Sequence, residues 1–513
     1  MKKKMLKAMS LLAASAMVIG CLGGCGNDSG SSNGGGSSSE NNESSESSES
    51  SADDSQSSES DSTGDDAGAS SGEVVDIKWV TVGNGMPDNY DAWKANLDAY
   101  LEEKIGVHLD MEVVGWADWS NRQNAIINSG EAYDIMFNGG ASDARRGVYM
   151  DITDMVQTVT PDLFNAIPKD YWDAVAVNGR YYAVPTYKDS SQTEYFVWDK
   201  ALAEKYAPNY QDLHDLQSLT EPLTKMMEGE GKTPLILAGG IGTCIFEIGY
   251  DNMGGGLCVV GVSYDDDSKK VVCILEQDDV MENLRTLHEW YKKGIINEDA
   301  NTLGEAPSYV MFGIAQGWSL AAKTVWGPNR GVECEAVQWG ETRLSTNTVN
   351  GSTNWISSGC KNPEKALQLL ELVNTDSYVR DALYFGLEGD NFEYTEDGRV
   401  HKNNTDWTMA GYTQGTFFNV TLTDDVEFNQ WDEVKALNEA ATPSPALGIS
   451  IDGSEFEDEL ANCNSVWNKY KSDLLSGVQD PDVLVPQMME EFRAAGIDTI
   501  IEKMQAQVDA ASN

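Results

Sequence analysis

The stretch "VVDIKWVTVGNG", residues 74–85, has the composition of a buried β-strand that ends in a loop. β-branched residues dominate it as far as Val82, and the turn signal Gly83-Asn84-Gly85 follows. The next segment, "NYDAWKANLDAYLEEKIG", predicts a helix that ends at Gly106, with one apolar face made of Trp93, Leu97, Tyr100 and Leu101. A second strand, "VHLDMEVVG", alternates apolar and polar residues after it. A strand, helix and strand in this order predict a right-handed crossover within a parallel sheet.

Further along the chain, the same kinds of pattern recur. The sequence predicts a helix at 120–128 and a third strand, "YDIMFNGG", at 133–140. Asn178-Gly179 between two apolar runs predicts a tight hairpin, and Asp265-Asp266-Asp267 predicts the acidic tip of another. Apolar residues at helical spacing recur at 281–293, 363–374 and 485–510. Together these segments predict an α/β protein.

The chain begins with a lysine-rich segment and an apolar run at 8–24, the pattern of an export signal. Two stretches, Val18-Ile19-Gly20-Cys21 and Leu22-Gly23-Gly24-Cys25, resemble the lipobox of bacterial lipoproteins, in which signal cleavage leaves a lipid-bearing cysteine. We favour Cys25, with Cys21 as the alternative, because the polar tail begins directly after Cys25. An uncleaved membrane anchor and an ordinary cleaved signal remain the competing interpretations.

Residues 26–73 carry twelve acidic residues and no lysine or arginine, in a background of serine and glycine. Such a stretch buries too little apolar surface to offset its ordering entropy, so we expect a disordered, self-repelling tether. The expected division is therefore a signal peptide and lipobox at 1–25, a tether at 26–73 and folded parts from residue 74. A lipid anchor would hold the folded part at the extracellular face of the bacterial cell membrane.

The charge balance and the residue usage exclude several classes of partner. Thirty-five basic residues stand against 83 acidic ones, a net charge of −48, which excludes nucleic acid as a main partner. The four histidines are not clustered, and the six cysteines after residue 74 form no CxxC pair, so we expect neither a metal site nor a cofactor. The cysteine spacing leaves any disulfide pairing open.

Patterns that suggest catalysis lack the context that catalysis needs. The G-x-S-x-G match at 68–72 lies within the predicted tether, without the strand and helix of a nucleophile elbow. Gly231-Lys232-Thr233 resembles the end of a phosphate-binding loop, but the required upstream glycine is Met226. The sequence therefore predicts a protein that is not an enzyme.

Four stretches carry a resemblance to a known family. They are "SGEAYDIMFNGG" at 129–140, 147–187 with "PDLFNAIPKDYWDAVAVNGRYYAVPTY", "LRTLHEWYKKGIINED" at 284–299, and the tail from "PALGISIDGSEFEDEL" to residue 510. In these stretches the chain resembles the extracellular solute-binding lipoproteins of bacterial ABC importers, in the carbohydrate-type family 1 and its LplA-like branch.

The resemblance implies a two-lobe, type II periplasmic-binding-protein-like fold, in which each lobe is a helix-flanked, mostly parallel sheet. We expect lobe 1 at 74–186 and 352–441, and lobe 2 at 187–351 and 442–513. The resemblance also implies a monomer that captures a carbohydrate, expected to be an oligosaccharide, and delivers it to an ABC transporter permease. The alternative is a cell-surface lipoprotein that binds or cleaves polysaccharide.

Ligands of open α/β sheets bind beyond the carboxyl ends of the strands, so the residues that follow each strand are candidate ligand contacts. In lobe 1 these are Asn84, Trp116, Trp119 and Asn138. The passage into lobe 2 adds Tyr187 and Lys188, and later candidates are Trp318, Trp326 and Glu388. Tryptophans are suitable candidates because sugars stack their C–H faces on aromatic rings. Four other tryptophans fit buried faces and are expected in the core: Trp79, Trp93, Trp172 and Trp290.

Overall fold

The structure is a computed structural model that describes residues 74–512. The predicted signal, lipobox cysteines and tether lie outside these residues. The strands are β1 (Val75–Gly83), β2 (Val107–Gly115), β3 (Ile135–Phe137), β4 (Ala176–Val177), β5 (Arg180–Tyr181), β6 (Ala183–Pro185), β7 (Gln192–Asp199), β8 (Tyr250–Asp251), β9 (Val260–Ser263), β10 (Val271–Cys273), β11 (Phe312–Gln316), β12 (Cys334–Leu344), β13 (Thr353–Ile356), β14 (Phe392–Tyr394), β15 (Val400–Lys402) and β16 (Thr442–Pro443).

The α-helices are α1 (Tyr90–Ile105), α2 (Trp119–Ser129), α3 (Ala141–Arg145), α4 (Thr153–Thr158), α5 (Pro161–Ala166), α6 (Lys169–Ala174), α7 (Lys200–Tyr206), α8 (Leu216–Glu230), α9 (Cys244–Glu247), α10 (Asp278–Lys293), α11 (Gly327–Arg330), α12 (Thr346–Asn350), α13 (Pro363–Thr375), α14 (Ser377–Phe385), α15 (Gln430–Ala440), α16 (Glu457–Leu475), α17 (Pro481–Ala495) and α18 (Ile497–Ala511).

The first sheet has the strand order β2-β1-β3-β13-β6. β1 pairs in parallel with β2 and with β3, as the strand-helix-strand pattern predicts. β13, to which the chain returns after forming the second sheet, is antiparallel to both β3 and β6. The carboxyl ends of β1, β2 and β3 therefore meet at one edge of the sheet.

The second sheet differs from the expectation of mostly parallel strands. Its order is β11-β7-β12-β16, and β7 is antiparallel to both of its neighbours. The β12–β16 pair is parallel and spans two residue pairs, Arg343 with Thr442 and Leu344 with Pro443. Long chain excursions, rather than single crossover helices, separate these strands, so the sequence carries no local signal of their direction. The α/β class with two sheets is confirmed, and the sheets are mixed.

Local signals at helix ends and turns are confirmed. α1 buries Trp93, Leu97 and Leu101 and ends at Gly106, which has a φ of 64°. The acidic stretch 265–267 lies between the antiparallel strands β9 and β10. The apolar segment at 485–510 is two helices rather than one, because Gly496 adopts a φ of 104° between α17 and α18.

The predicted hairpin at Asn178-Gly179 joins β4 and β5, and both turn residues have positive φ, 52° and 73°. Left-handed backbone costs a residue with a Cβ about 1 kcal/mol or more. We expect Gly179→Ala to lower the free energy of unfolding by about 1 kcal/mol, as measured by urea denaturation. Gly304→Ala is the matched control, because a Cβ meets nothing within 4 Å at either glycine and only Gly179 has a positive φ. Equal stability of the two variants would contradict this prediction.

Two large hydrophobic cores lie against the two sheets. One packs beneath the first sheet and includes Trp79, Trp93, Trp172 and Leu367. The other packs against the second sheet and includes Phe196, Trp290 and residues of α16, α17 and α18. We call the units built on these cores lobe 1 and lobe 2. The chain passes between the sheets at 186–191, at 345–352 and again within 357–441. Near these passages Thr186 N–H donates to Ser352 O (3.0 Å) and Ser444 N–H donates to Leu344 O (2.7 Å).

Candidate functional site

Two predicted residues meet beyond the carboxyl ends of β1 and β2. Asn84 follows β1 and Trp116 follows β2, and the strands are paired in register up to Gly83 and Gly115. The Trp116 indole Nε1–H donates to Asn84 Oδ1 at 2.9 Å. The Trp116 side chain is nevertheless 40% exposed, more than the buried tryptophans of the two cores. An amide thus orients an indole whose surface remains open.

Tyr412 completes this group, and no sequence pattern identified it as a candidate site residue. Its ring stacks on Trp116, with centroids 6.1 Å apart and planes 16° apart. Its edge meets Phe137 at the end of β3, with centroids 6.1 Å apart. Tyr412 lies in a long irregular segment between β15 and α15, where neither strand nor helix periodicity marks a buried or functional face. We call Asn84, Trp116, Phe137 and Tyr412 the aromatic wall.

Trp119 and Asn138 border the aromatic wall. The Trp119 ring, at the start of α2, packs against Phe137 with centroids 6.0 Å apart. Asn138 follows β3 with a φ of 51°, and its N–H donates to Thr353 O at 2.7 Å. Its side chain is exposed at the same sheet edge. Asn138 therefore presents an amide beside the aromatic wall.

The structure separates the neighbours Tyr187 and Lys188. Tyr187 is 6% exposed and lies between the rings of Tyr171 (5.0 Å) and Phe418 (4.6 Å), in the core of lobe 1. The Lys188 ammonium lies 5.5 Å from the centroid of the Tyr412 ring. It also forms an ion pair of 2.7 Å with Asp189. Lys188 thus lies beside the aromatic wall, whereas Tyr187 is packed into the core of lobe 1.

Trp318 and Trp326 belong to an apolar cluster on the face of the second sheet opposite the core of lobe 2. The Trp318 ring lies 5.7 Å from Trp431 of α15, and Trp431 lies 4.4 Å from Phe417. Trp318 is 6% exposed, yet its Nε1–H has no hydrogen-bond partner. Trp326 is 3% exposed and packs against Tyr195. Phe417 links this cluster to the chain segment that carries Tyr412.

Glu388 lies apart from the other candidates. It borders a small cavity lined by side chains of α1 and α14, including Trp93, Leu97 and Tyr378. Its neighbours in space thus come from the outer helices of lobe 1 rather than from the carboxyl ends of the strands. The stretch that contains Glu388 carries no strand pattern that would place its side chain at the edge of a sheet.

A buried carboxyl group that sequence analysis did not single out lies at the start of β7. Glu194 is 4% exposed, and the Gln192 amide Nε2–H₂ donates to Glu194 Oε1 (3.1 Å) and to Glu247 Oε2 (2.8 Å). Burial raises the pKa of Glu194 to about 7, the Gln192 hydrogen bond opposes this shift, and the nearby Glu247 charge adds to it. Every residue of β7 after Gln192 is buried, so no alternation of polar and apolar residues marks Glu194, and burial of an acid has no sequence signal.

This raised pKa predicts a pH dependence of stability. Between pH 4.5 and 7 the unfolded chain binds fewer protons at Glu194 than the folded protein, so stability falls as the pH rises through this window. We expect Glu194→Gln to remove this loss, so that its advantage over the wild type in unfolding free energy grows from pH 5 to pH 8, by at most about 3 kcal/mol. Urea denaturation at both pH values measures it. A difference between the two proteins that stays constant from pH 5 to pH 8 would contradict this prediction.

Residues 74–512 contain neither a candidate metal site nor a candidate membrane-spanning helix. Within this range, histidine, cysteine and carboxylate side chains form no group of three or more that could hold a metal ion. No helix of the same range has the length and apolar character needed to cross a bilayer.

Comparison with known proteins identifies relatives along most of the chain. Residues 95–385 match the family model described as bacterial extracellular solute-binding protein, and residues 445–513 match a domain of unknown function. A carbohydrate ABC transporter substrate-binding protein from Streptococcus pneumoniae serotype 4 is 29% identical over 468 residues, covering 86% of this chain and 92% of that protein. The fructooligosaccharide ABC transporter substrate-binding protein FusA of the same organism is 26% identical over 227 residues, 39% of this chain and 41% of FusA.

Solved structures show the same fold. The N-glycan transport solute binding protein NgtS from Streptococcus pneumoniae is 25% identical, with a TM-score of 0.76 over 85% of this chain and 98% of NgtS. Its complex with Man5GlcNAc is similar with a TM-score of 0.65, over the same shares of the two chains. The predicted type II fold and family resemblance are confirmed. Since the family model spans more than half of the sequence, the chain belongs to the bacterial extracellular solute-binding proteins.

Proposed function

We propose that this protein captures an oligosaccharide between its two lobes and delivers it, unchanged, to the permease of an ABC importer. The observation that carries the proposal is the aromatic wall at the carboxyl ends of β1, β2 and β3. An exposed indole stacked on a tyrosine offers an apolar surface to the C–H face of a sugar ring. The amides of Asn84 and Asn138 and the Lys188 ammonium stand beside it as partners for sugar hydroxyls.

The names of the relatives support the choice of ligand class. The 29% identical relative is named for carbohydrate transport, and NgtS has been solved with Man1GlcNAc and with Man5GlcNAc. FusA is named for fructooligosaccharides and has been solved with kestose. All of these ligands are carbohydrates of more than one ring, which favours an oligosaccharide over a single sugar.

The mechanism that we propose is closure of the lobes around the ligand. A ligand that contacts both lobes favours the closed state by the difference between its contacts in the two states. We propose that α15 moves with lobe 2, because Trp431 packs on Trp318, and the carboxylate of Glu433 accepts hydrogen bonds from Ser319 and Leu320 N–H at 2.8 and 3.0 Å. Asn438 of α15 also accepts from Ser191 N–H at 3.0 Å, which ties the helix to the first passage between the lobes.

We further propose a lipid anchor at Cys25, with Cys21 as the alternative, on the outer face of the cell membrane. The two lipobox-like stretches and the acidic composition of residues 26–73 support it. Metabolic labelling with a palmitate analogue tests it, because Cys25→Ala should abolish incorporation if Cys25 is the acceptor, whereas Cys21→Ala should not.

Isothermal titration of the soluble protein, residues 74–513, with Man1GlcNAc, Man5GlcNAc and kestose tests the main proposal. We expect saturable binding of at least one of them, with a change in tryptophan fluorescence from Trp116. Chromatography of the saccharide after prolonged incubation should recover it intact. Binding of none of the three, or appearance of shorter products, would contradict the proposal.

A further inference from the structure

Tyr412 lies in a segment that has almost no regular secondary structure. Residues 408–418, which we call the Tyr412 loop, contain one 3₁₀ turn at Gly411–Thr413. One isolated backbone bridge, between Gly83 and Met409, pairs the loop with the first sheet, and Thr81 Oγ1–H of β1 donates to Thr413 Oγ1 at 3.0 Å. The position of the Tyr412 ring therefore depends on side chains that bind the backbone of the loop, since no strand ladder holds it.

Two side chains of lobe 1 bind consecutive carbonyl groups of the loop. Ser352 Oγ–H donates to Tyr412 O at 2.8 Å. Asn354 Nδ2–H₂ donates to Thr413 O at 3.0 Å and to Gln414 O at 3.3 Å. Asn354 Oδ1 accepts from Trp79 Nε1–H at 3.1 Å, so both ends of the amide are fixed within the lobe. Ser352 and Asn354 are 1% exposed each, which places these bonds away from competing water.

Arg380 of α14 holds the loop on both sides of Tyr412. Its Nη2–H₂ donates to Gly411 O at 2.7 Å and its Nε–H donates to Thr416 O at 2.6 Å. The side chain is fully buried, and its guanidinium lies 5.1 Å from the centroid of the Tyr384 ring. Within residues 74–512 no carboxylate forms an ion pair with it, and its Nη1 has no partner. The hydrogen bonds of this buried charge go to backbone carbonyls of the loop, and the Tyr384 ring and the Asp381 charge also stabilise it.

We propose that Arg380, together with Ser352, is a positioning residue for saccharide binding. It fixes the Tyr412 loop so that the Tyr412 ring stacks on Trp116, and it thereby sets the affinity of the aromatic wall without touching the sugar. This inference rests on the proposed function of that wall. The planar guanidinium suits the task because its Nε and Nη2 donors have a rigid geometry that matches two separate carbonyls.

Arg380→Lys tests the proposal, because it keeps the charge but replaces the planar fork by a single ammonium. We expect hydrogen exchange of the amides at 408–418 to accelerate about tenfold, and the near-ultraviolet circular dichroism of the Trp116–Tyr412 pair to weaken. The Kd for whichever of Man1GlcNAc, Man5GlcNAc and kestose binds the wild type should rise about tenfold. Arg399→Lys is the matched control, since Arg399 Nη1 donates to the carbonyls of Val426 (2.6 Å) and Thr423 (3.4 Å) in another segment.

Ser352→Ala keeps the proposal testable if Arg380→Lys does not fold, because it removes one bond to Tyr412 O and should show the same changes at smaller size. Unchanged exchange at 408–418 in the folded variants would overturn the positioning role. Accelerated exchange with an unchanged Kd would overturn its effect on affinity. If the wild type binds no saccharide while exchange and dichroism respond as expected, the proposed function fails and the positioning of the loop stands.

Discussion

Trp116→Ala should raise the Kd for the bound saccharide about 10- to 100-fold, since an aromatic anchor at the centre of a binding surface contributes most of its contact energy. The exposed face of the indole is the surface that a sugar ring would cover, and Asn84 holds the indole in place. Isothermal titration with the saccharide that binds the wild type measures the change. The thermal stability of the variant should change little, because the side chain is 40% exposed.

Tyr309→Ala is the control for this prediction. Tyr309 is also 40% exposed, but its hydroxyl donates to Asp199 at the far end of β7 and not to the aromatic wall. It should leave the Kd unchanged. The double variant Trp116→Ala with Tyr412→Ala should lose less affinity than the sum of the two single changes, because the two rings stack as one unit. An unchanged Kd in Trp116→Ala would show that the ligand lies elsewhere.

Trp290→Ala should have the opposite profile, with a large loss of stability and an unchanged Kd. Trp290 of α10 is fully buried in the core of lobe 2, and its Nε1–H donates to Thr220 Oγ1 at 2.8 Å. Removing a buried aromatic ring costs about 3–5 kcal/mol through lost burial and the cavity left behind. Urea denaturation followed by far-ultraviolet circular dichroism measures this cost, and titration at a temperature well below unfolding measures the Kd.

Trp290→Phe is the matched control, because it keeps most of the ring volume and should cost less than the alanine variant. The two lobes have separate cores, so in Trp290→Ala we expect lobe 2 to unfold at a lower urea concentration than lobe 1. A loss below about 1 kcal/mol would contradict the assignment of this tryptophan to the core. Together, the Trp116 and Trp290 variants separate a binding tryptophan from a packing one.

The sequence predicted the features that depend on neighbours along the chain. The first strand, the helix ending at Gly106, the parallel partner β2 and the Asn178-Gly179 turn are all confirmed, because periodicity and turn chemistry act over a few residues. The family followed from longer stretches of resemblance. The meeting of Asn84 and Trp116 also follows, since the carboxyl ends of adjacent parallel strands share one edge.

Other features depend on residues far apart in the chain, and the tertiary structure alone decided them. Tyr412 reaches Trp116 across about 300 residues through buried side-chain bonds to backbone carbonyls, which leave no periodic pattern. Tyr187, next to Lys188, turns into the core because Tyr171 and Phe418 enclose it. The strand directions of the second sheet likewise follow from long excursions of the chain. Local sequence determines which elements form and where they end, whereas packing between distant elements decides which side chains share a site.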